Sequence, residues 1–394
     1  MRSSTRICIM MAGSSNFYRD LLDGIMRYCG GSGRWEFMIE REIFNPQAIE
    51  RIRLAIRHWR LAGLITSVWT PPLRRAVAKL HVPTVELSGA YGNEGFARVH
   101  ADDEAIGRLA GRHLIERGLR SFAYWGTPKH VPSVRRFEGL RQEVSRLGVE
   151  PTFICRGIRT HHGRNVFAEH AVATEFLAKQ SAPLGVLCFN DYWAWDLMAV
   201  CDQIGLNVPQ NVAVVGIGND EAICTVSRVP ISSVETSGSQ IGYEAMRILG
   251  QMIRGQATPA KAVLVSPLRV LGRRSSDILL APDNDISRAL HFVREHAGEP
   301  IGVRDILAEV PMARRRLERR FRELLGRTPE QHLFHERVER AKGLLLETNL
   351  NLADVAARSG FANASIFAAI FKRAAGMTPR QYRLRHARPS TASP

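Results

Sequence analysis

The segment ARRRLERRFRE, residues 313 to 323, carries six arginines and two glutamates in eleven positions. Read at about 100° per residue, Leu317, Phe321 and Leu324 follow i, i+4, i+7 and form one apolar stripe. Arg315, Glu318, Arg319 and Arg322 point away from that stripe and are free to meet something outside the fold. A guanidinium is a rigid planar fork of donors that suits phosphate oxygens, or any edge offering two acceptors side by side. The chemistry on offer is recognition of a polyanion.

The element that must hold this face is built twice. FRELLGRTPEQ, from Phe321 to Gln331, recurs fifty positions later as FKRAAGMTPRQ, from Phe371 to Gln381, with Phe, Gly, Thr, Pro and Gln in matching places. Two copies are too few for a solenoid, whose units need about three or more neighbours to bury their faces. A pair of similar small modules is the reading that remains. In the first, Val303, Ile306 and Leu307 share a helix face, a turn follows around Val310 and Pro311, and a second helix begins near Ala313. In the second, Leu352, Val355 and Ala356 do the same. A turn at SGFAN follows, with Gly360 as the stop and Asn363 as the N-cap, and then a helix buried through Phe367 and Phe371. Helix, tight turn, helix is the plan in which the second helix enters a DNA major groove. EQHLFHERVERAKGLLLE, between the copies, has the length and periodicity of one connecting helix, which would fix their separation.

Charge agrees with this placement. The chain has 394 residues, enough for two or three domains, with 54 Lys+Arg against 38 Asp+Glu. Residues 285–394 hold 20 basic and 12 acidic side chains, so half of the net charge of +16 falls in little more than a quarter of the length. Such concentration suits nucleic acid.

Upstream the pattern is different. RICIMMA, GLITSVW, TVELSG, SFAYWG, PLGVLCF and NVAVVGI read as short buried strands, and RDLLDGIMRYC, EAIGRLAGRHLIERG and RRFEGLRQEVSRLG read as helices among them. Alternation of strand and helix implies right-handed crossovers and parallel sheets, and some 270 residues of it imply two α/β lobes with ligand crevices at the carboxyl ends of their strands. The opening MRSSTRICIMMAGSS imitates a secretory signal, but its apolar core is at the short limit and reads as a first strand. The alternation stops near LGRRSSDILLAPDND. The expected division is therefore a sensor over 1–275, a linker over 276–285, an all-α domain over 286–386 and a disordered tail over 387–394.

Residues 286–386 resemble the DNA-binding domain of the AraC/XylS family, most closely in their second half. The residues that carry the resemblance are Ala341 with Leu344-Leu345, Val355-Ala356, Gly360-Phe361, Phe367 with Phe371-Lys372, and Gly376 with Thr378-Pro379 and Tyr382-Arg383. The resemblance implies two readers in successive major-groove segments about 10 base pairs apart. By position it makes Arg315, Glu318 and Arg319 the base-facing residues of the first reader, and Ser365, Ala368 and Ala369 those of the second. Arginine bridges O6 and N7 of guanine and glutamate accepts from cytosine N4, whereas the small residues offer only thymine-methyl contact or close approach. The first reader is thus expected to carry most of the specificity, with Lys372, Arg373, Arg380 and Arg383 placed on phosphates.

VHADDEAIGRLAGRHLIERGLRSFAYWG and VLCFNDYWAWDLMAVCDQIGLNVPQNVAVVGIGNDE resemble the LacI/GalR-type regulatory domain, a two-lobed periplasmic-binding-protein-like fold. A sensor of this kind ahead of an AraC-type reader resembles XylR-type activators and implies a sugar-like effector such as xylose. Arg136 in RRFEGL and Asn190 in the FND run match sugar-contacting positions of such sensors. Trp125 and Trp193 are stacking candidates, a core position being the competing reading for both. Where many relatives have Asp after VVGI or VVGY, this chain has Gly218, so Asn219 or Asp220 takes over the role or the ligand is not an ordinary pentose. The resemblance further implies operator DNA, a homodimer formed through the sensor and, for an activator, RNA polymerase as partners. A repressor whose α/β part serves mainly to dimerise, or binds a ligand other than a sugar, is the alternative.

Enzymatic readings find little support. GIGNDE lacks the third glycine of a dinucleotide loop, and GxxxxGK[ST] and GxSxG are absent. His161-His162 and the pair His332 and His335 lack companions at metal-ligand spacing, so no metal and no cofactor is expected. The six cysteines are scattered without CxxC and read as buried thiols of a reducing compartment; no apolar run nears the roughly 18 residues of a membrane span, and a cytoplasmic protein is expected.

Overall fold

A computed structural model describes residues 4–11, 16–30, 34–42, 45–91, 95–155, 166–180, 183–278 and 284–386. His161 and His162, and the tail expected over 387–394, lie outside them. The first lobe runs β1 (Thr5–Met10), α1 (Asn16–Cys29), β2 (Trp35–Glu40), α2 (Pro46–His58), β3 (Leu61–Thr66), α3 (Pro71–Ala78), β4 (Thr84–Glu86) and β5 (Ala97–Ala101). The second comprises α4 (Asp103–Glu116), β6 (Ser121–Gly126), α5 (Val131–Val144), β7 (Thr152–Cys155), α6 (Val166–Ala178), β8 (Leu184–Cys188), α7 (Asp191–Gln203), β9 (Val212–Ile217), α8 (Glu221–Val226) and β10 (Ser232–Glu235). The chain then returns to the first lobe for α9 (Gly238–Ile253) and β11 (Val263–Val265), and to the second for β12 (Arg269–Leu271). The lobes are consequently joined where the chain leaves β5, β10 and β11.

The strand orders are β11-β5-β4-β3-β1-β2 and β12-β10-β9-β8-β6-β7. Pairing is parallel except between β10 and β12, which are antiparallel. A parallel strand covered by helices on both faces reads as an unbroken apolar run. In β1, Ile7 and Ile9 face the core packed on α1 and α9, while Cys8 and Met10 face the one under α2 and α3. In β9, Val212 and Val214 enter one core and Ala213, Val215 and Ile217 the other. The opening residues that imitate a signal are thus a central strand. Cys8, Cys29, Cys188, Cys201 and Cys224 are buried.

One helix crossing sets the geometry of the cleft between the lobes. A Cβ on Gly107 of α4 would stand 2.0 Å from the Arg136 carbonyl oxygen, and one on Gly139 of α5 would stand 2.0 Å from that of Glu104. Glycine on each helix lets the two backbones touch, which sets Arg136 on α5 beside Asp103 at the start of α4.

Ser275 and Ser276 are still part of the second lobe: Ser275 Oγ donates to Val214 O over 2.6 Å, and Ser276 Oγ lies 2.8 Å from His113 Nε2. Helices then take over with α10 (Asn284–His296), α11 (Val303–Glu309), α12 (Arg314–Leu325), α13 (Pro329–Glu347), α14 (Leu352–Arg358), α15 (Ala364–Ala375) and α16 (Pro379–His386). Two small cores flank α13. Leu333 joins the one around Ile306, Leu317 and Phe321; Val338, Ala341 and Leu345 join the one around Val355, Phe367 and Phe371. Between them the buried Arg337 donates to the carbonyls of Ala297, Glu299 and Ile301.

The repeated sequence is a stop followed by a start. Gly326 and Gly376 end α12 and α15 with φ of 66° and 73°, where a side chain would be strained. Thr328 and Thr378 then cap the next helix, each accepting from the backbone of Gln331 or Gln381 at 3.2 Å while that glutamine's Oε1 accepts from the threonine N–H at 2.9 Å.

Candidate effector cleft and nucleic-acid interface

Between the lobes lies a cleft of about 340 Å³. Phe17 from α1 and Trp69 after β3 face Phe189 and Tyr192 from the second lobe, giving it aromatic walls. Its polar floor comes from Asp103, Asn190, Asp191 and Asp220, all at helix starts, and from Arg136 in the second turn of α5. Arg136 Nε donates to Asp103 Oδ1 at 2.7 Å, its Nη1 donates to Phe189 O at 2.6 Å, and its guanidinium lies 4.9 Å from the Phe189 ring centroid. Burial drives the Asp103 carboxyl upward, against the pull of Arg136.

Asp191 explains the missing aspartate. Gly218, at φ 120°, has only Asp191 Oδ2 beside its would-be Cβ, at 3.3 Å, and a Cβ on Gly216 would meet Asp191 Oδ1 at 2.3 Å. The carboxylate of α7 therefore fills the space at the end of β9. It accepts from Ser233 Oγ at 2.5 Å and from the Asp220 N–H at 2.7 Å. Burial, the largest influence, pushes its pKa up to about 6 against those two hydrogen bonds.

Arg136, Asn190 and Asp220 thus come together at the cleft, while other expected contacts do not. Asn190 Oδ1 also caps α7 by accepting from Trp193 N at 2.9 Å. Asn219 turns to a separate crevice, where its Oδ1 accepts from Arg273 Nη2 at 2.8 Å. Trp125 and Trp193 belong to the second lobe's core. Trp125 lies on β6 and Trp193 in the first turn of α7, and both turn into that core. Asp103, Asp191, Phe17 and Trp69 were not singled out from sequence; an acid opening a helix directly after a strand, as in HADDE and FNDY, is the signal that could have found the first two.

In the helical domain, α11 with α12 and α14 with α15 form the two helix, turn, helix units. Arg315, Arg319 and Arg322 are exposed on α12. Glu318 is engaged along its own helix, accepting from Arg314 Nε at 3.0 Å, with Arg322 at 4.0 Å. The Leu324 side chain lies outside the described ones. On α15, Ser365 and Ala369 are exposed and Ala368 is half-buried, with Lys372, Arg373 and Arg380 exposed beyond them. Arg383 differs from the expected phosphate contact. It turns inward, its Nε donating to Leu345 O at 3.3 Å at the end of α13. His332 is buried beside Phe321, and burial pushes its pKa down to about 3. Among the described residues no three His, Cys, Asp or Glu side chains are grouped to hold a metal, and no helix is long and apolar enough to cross a membrane.

Residues 112–276 match the periplasmic binding protein-like domain family, and residues 306–385 the helix-turn-helix domain family. The xylose operon regulatory protein of Escherichia coli (strain K12) is 29% identical over 388 residues, 96% of each chain. The protein of the same name from Haemophilus influenzae (strain ATCC 51907 / DSM 11121 / KW20 / Rd) is 27% identical over 389 residues, 96% of this chain and 98% of that one. The structure of the xylose-binding transcription activator xylR superposes with a TM-score of 0.61 at 27% identity, covering 98% of this chain and 99% of that one. Over nearly its whole length the chain is similar to xylose operon regulators. Its relatives regulate transcription and are not enzymes.

The chain joins a two-lobed α/β domain to a helical domain with two helix-turn-helix units. The two domains meet at the C-terminus of α4. Glu116 is paired with Arg327, just past α12, and its Oε2 lies 3.5 Å from His335 Nε2 on α13. Burial alone would raise the Glu116 carboxyl, but His335 and Arg327 hold it well below the usual carboxylate range. Farther along the interface, Arg269 Nη2 donates to Glu347 Oε1 at 2.7 Å, and Arg27 Nη1 on α1 donates to Arg385 O at 2.8 Å.

Proposed function

We propose that this chain activates a sugar-utilisation operon in the cytoplasm, with an uncharged sugar such as xylose held in the interlobe cleft as its effector. The observation that carries the reading is the Arg136–Asp103 fork under the aromatic walls of the cleft. Adjacent ring hydroxyls need acceptors and donors in one plane, and the C–H face of a sugar needs a flat apolar partner. Among the described residues of the floor, Asp103, Asp191 and Asp220 outnumber the single arginine. An anionic sugar acid or sugar phosphate would be repelled there, whereas a neutral polyol finds acceptors. On the DNA side, Arg315 and Arg319 contact bases, Lys372, Arg373 and Arg380 contact phosphates, and two sensors pair to bring four readers to the operator before RNA polymerase. The effector works only by binding the DNA-competent state more tightly than the other.

The test is a titration of the full chain with xylose, other pentoses, hexoses and sugar acids, followed by tryptophan fluorescence, since Trp69 borders the cleft. Saturable binding of a neutral pentose, and none of its aldonic acid, is the expected result. A chain that responds saturably to none of them has no sugar effector.

A further inference from the structure

The two readers occupy equivalent frames, because α12 (Arg314–Leu325) and α15 (Ala364–Ala375) coincide on the fifty-residue shift. Their outward faces therefore compare position by position. Where the first carries Arg315, Arg316, Arg319 and Arg322, the second carries Ser365, Ile366, Ala369 and Lys372. Ile366 is 43% exposed. Among the described residues of the helical domain only Leu384 is another large apolar side chain so open, and its carbonyl faces the sensor's Arg27.

A single exposed isoleucine is ordinary on a protein surface. This one lies in the first turn of the helix that a helix-turn-helix unit sends into the major groove. Its backbone is fixed there, since the Ile366 N–H donates to Asn363 Oδ1 at 2.9 Å and Phe367 and Phe371 are fully buried beneath. Ala362, Ser365 and Ala369 beside it are exposed and small, so the helix can come close to the base edges. Lys372 and Arg373 follow one turn on, exposed and positioned to hold the phosphates at the groove's rim. The face is thus an apolar strip bordered by cations, complementary to a groove with an apolar floor and anionic walls. In the major groove the apolar feature of a base edge is the C5-methyl of thymine.

We infer that Ile366 is a specificity residue of the second reader, which selects thymine by apolar contact with its methyl group while the first reader selects guanine or phosphate by its arginines. The inference rests on the assignment of the helical domain as a DNA reader and goes beyond it. The second unit is not a passive clamp: it makes its own half of the operator rich in A·T pairs. Burying one methyl contributes about 0.8 kcal/mol, which is roughly fourfold in affinity per thymine contacted.

Deoxyuridine lacks only that methyl, so it isolates the contact. Duplexes would be enriched from a random library with the full-length wild-type chain, and each thymine of the winning sequence replaced in turn by deoxyuridine. At one or two thymines in one half-site, uracil should weaken the wild type roughly fourfold. Ile366→Ala should bind the thymine and uracil duplexes equally at those positions, with the slope of affinity against salt unchanged, and Ile366→Val should keep part of the discrimination. Uracil neutral at every thymine overturns the inference alone. So does an Ile366→Ala chain that keeps the wild-type thymine preference, including one that loses transcriptional output, where Ile366 would contact a protein instead. A wild type that enriches no duplex overturns the DNA-reading assignment and this inference with it.

Discussion

Asp191 shows how much one buried carboxyl can decide. It is 2% exposed, opens α7, and reaches Ser233, 42 positions away, and the N–H of Asp220. Its pKa, pushed up to about 6 by burial, lies above the ordinary aspartate value of about 3.9. Between those two values the folded chain holds a proton that the unfolded chain has released. Stability from this group is therefore full in acid below the unfolded value and is lost as pH rises through the folded one. Moving from pH 4.5 to 6.5 should cost the wild type about 2 kcal/mol more than Asp191→Asn. Urea midpoints of both proteins at the two pH values check this; parallel curves would show that Asp191 titrates as an exposed acid does. None of this was legible beforehand. FNDY announces a helix start through Asn190, but the partners that bury Asp191 come from β10 and the turn before α8, and only the folded sheet brings them together. Arg136 and Asn190 could be found because their surroundings are local motifs, whereas Asn219 and Asp220 are neighbours in sequence whose side chains the left-handed backbone at Asn219, φ 52°, sends to different crevices.

At the scale of elements, the crossing of α4 over α5 is the fixed part of the cleft. A methyl at Gly107 would stand 2.0 Å from the Arg136 carbonyl, a backbone atom that can yield only if α5 moves. Gly107→Ala should therefore lower stability by about 3 kcal/mol, at the upper end for overpacking, and weaken effector binding as Arg136 draws away from Asp103. Gly111→Ala, one turn on, meets the Leu140 side chain at 3.1 Å and should cost less, since a side chain can rotate. Thermal denaturation of both variants, with an effector titration, separates these outcomes; equal and small losses would mean that the helices are free to part. Elements of this kind were readable wherever their own sequence carried the signal. The apolar runs of β1, β8 and β9 and the Gly-x-Thr-Pro stops are local physics. β11 and β12 are three residues each, too short for any period to show. Yet β11 completes the sheet of the first lobe and β12 that of the second after the chain crosses back, so the two-lobed closure was visible only as an excess of length over one sheet.

Across the whole molecule, α4 spans the distance from the interlobe cleft to the helical domain. Its fourteen residues cover about 21 Å at 1.5 Å each, with Asp103 in the cleft at one end and Glu116 at the domain interface at the other. Burial opposes a charge on His335, but the hydrogen bond to Glu116 outweighs it and raises its pKa, with Glu339 adding and Arg327 opposing. The His335 contribution is consequently present below the ordinary histidine value and is lost as pH rises through the raised one. Replacing Glu116 by glutamine keeps the volume and removes the charge that Arg327 and His335 share, while Arg136 and the rest of the cleft, at the far end of the helix, are untouched. Glu116→Gln should therefore hold effector affinity within about twofold yet shrink the ratio of operator affinities with and without effector, a ratio that typically spans about 5 to 150. Linkage supplies an internal check, because operator DNA must then lose its influence on effector affinity by the same factor. Isothermal titration of effector with and without an operator duplex measures both sides. If the variant keeps the wild-type ratio in each direction, coupling does not run through the Glu116 contact, and other bridges of the described interface, among them Arg294 with Asp277, Arg269 with Glu347 and Arg27 with Arg385, are the next candidates.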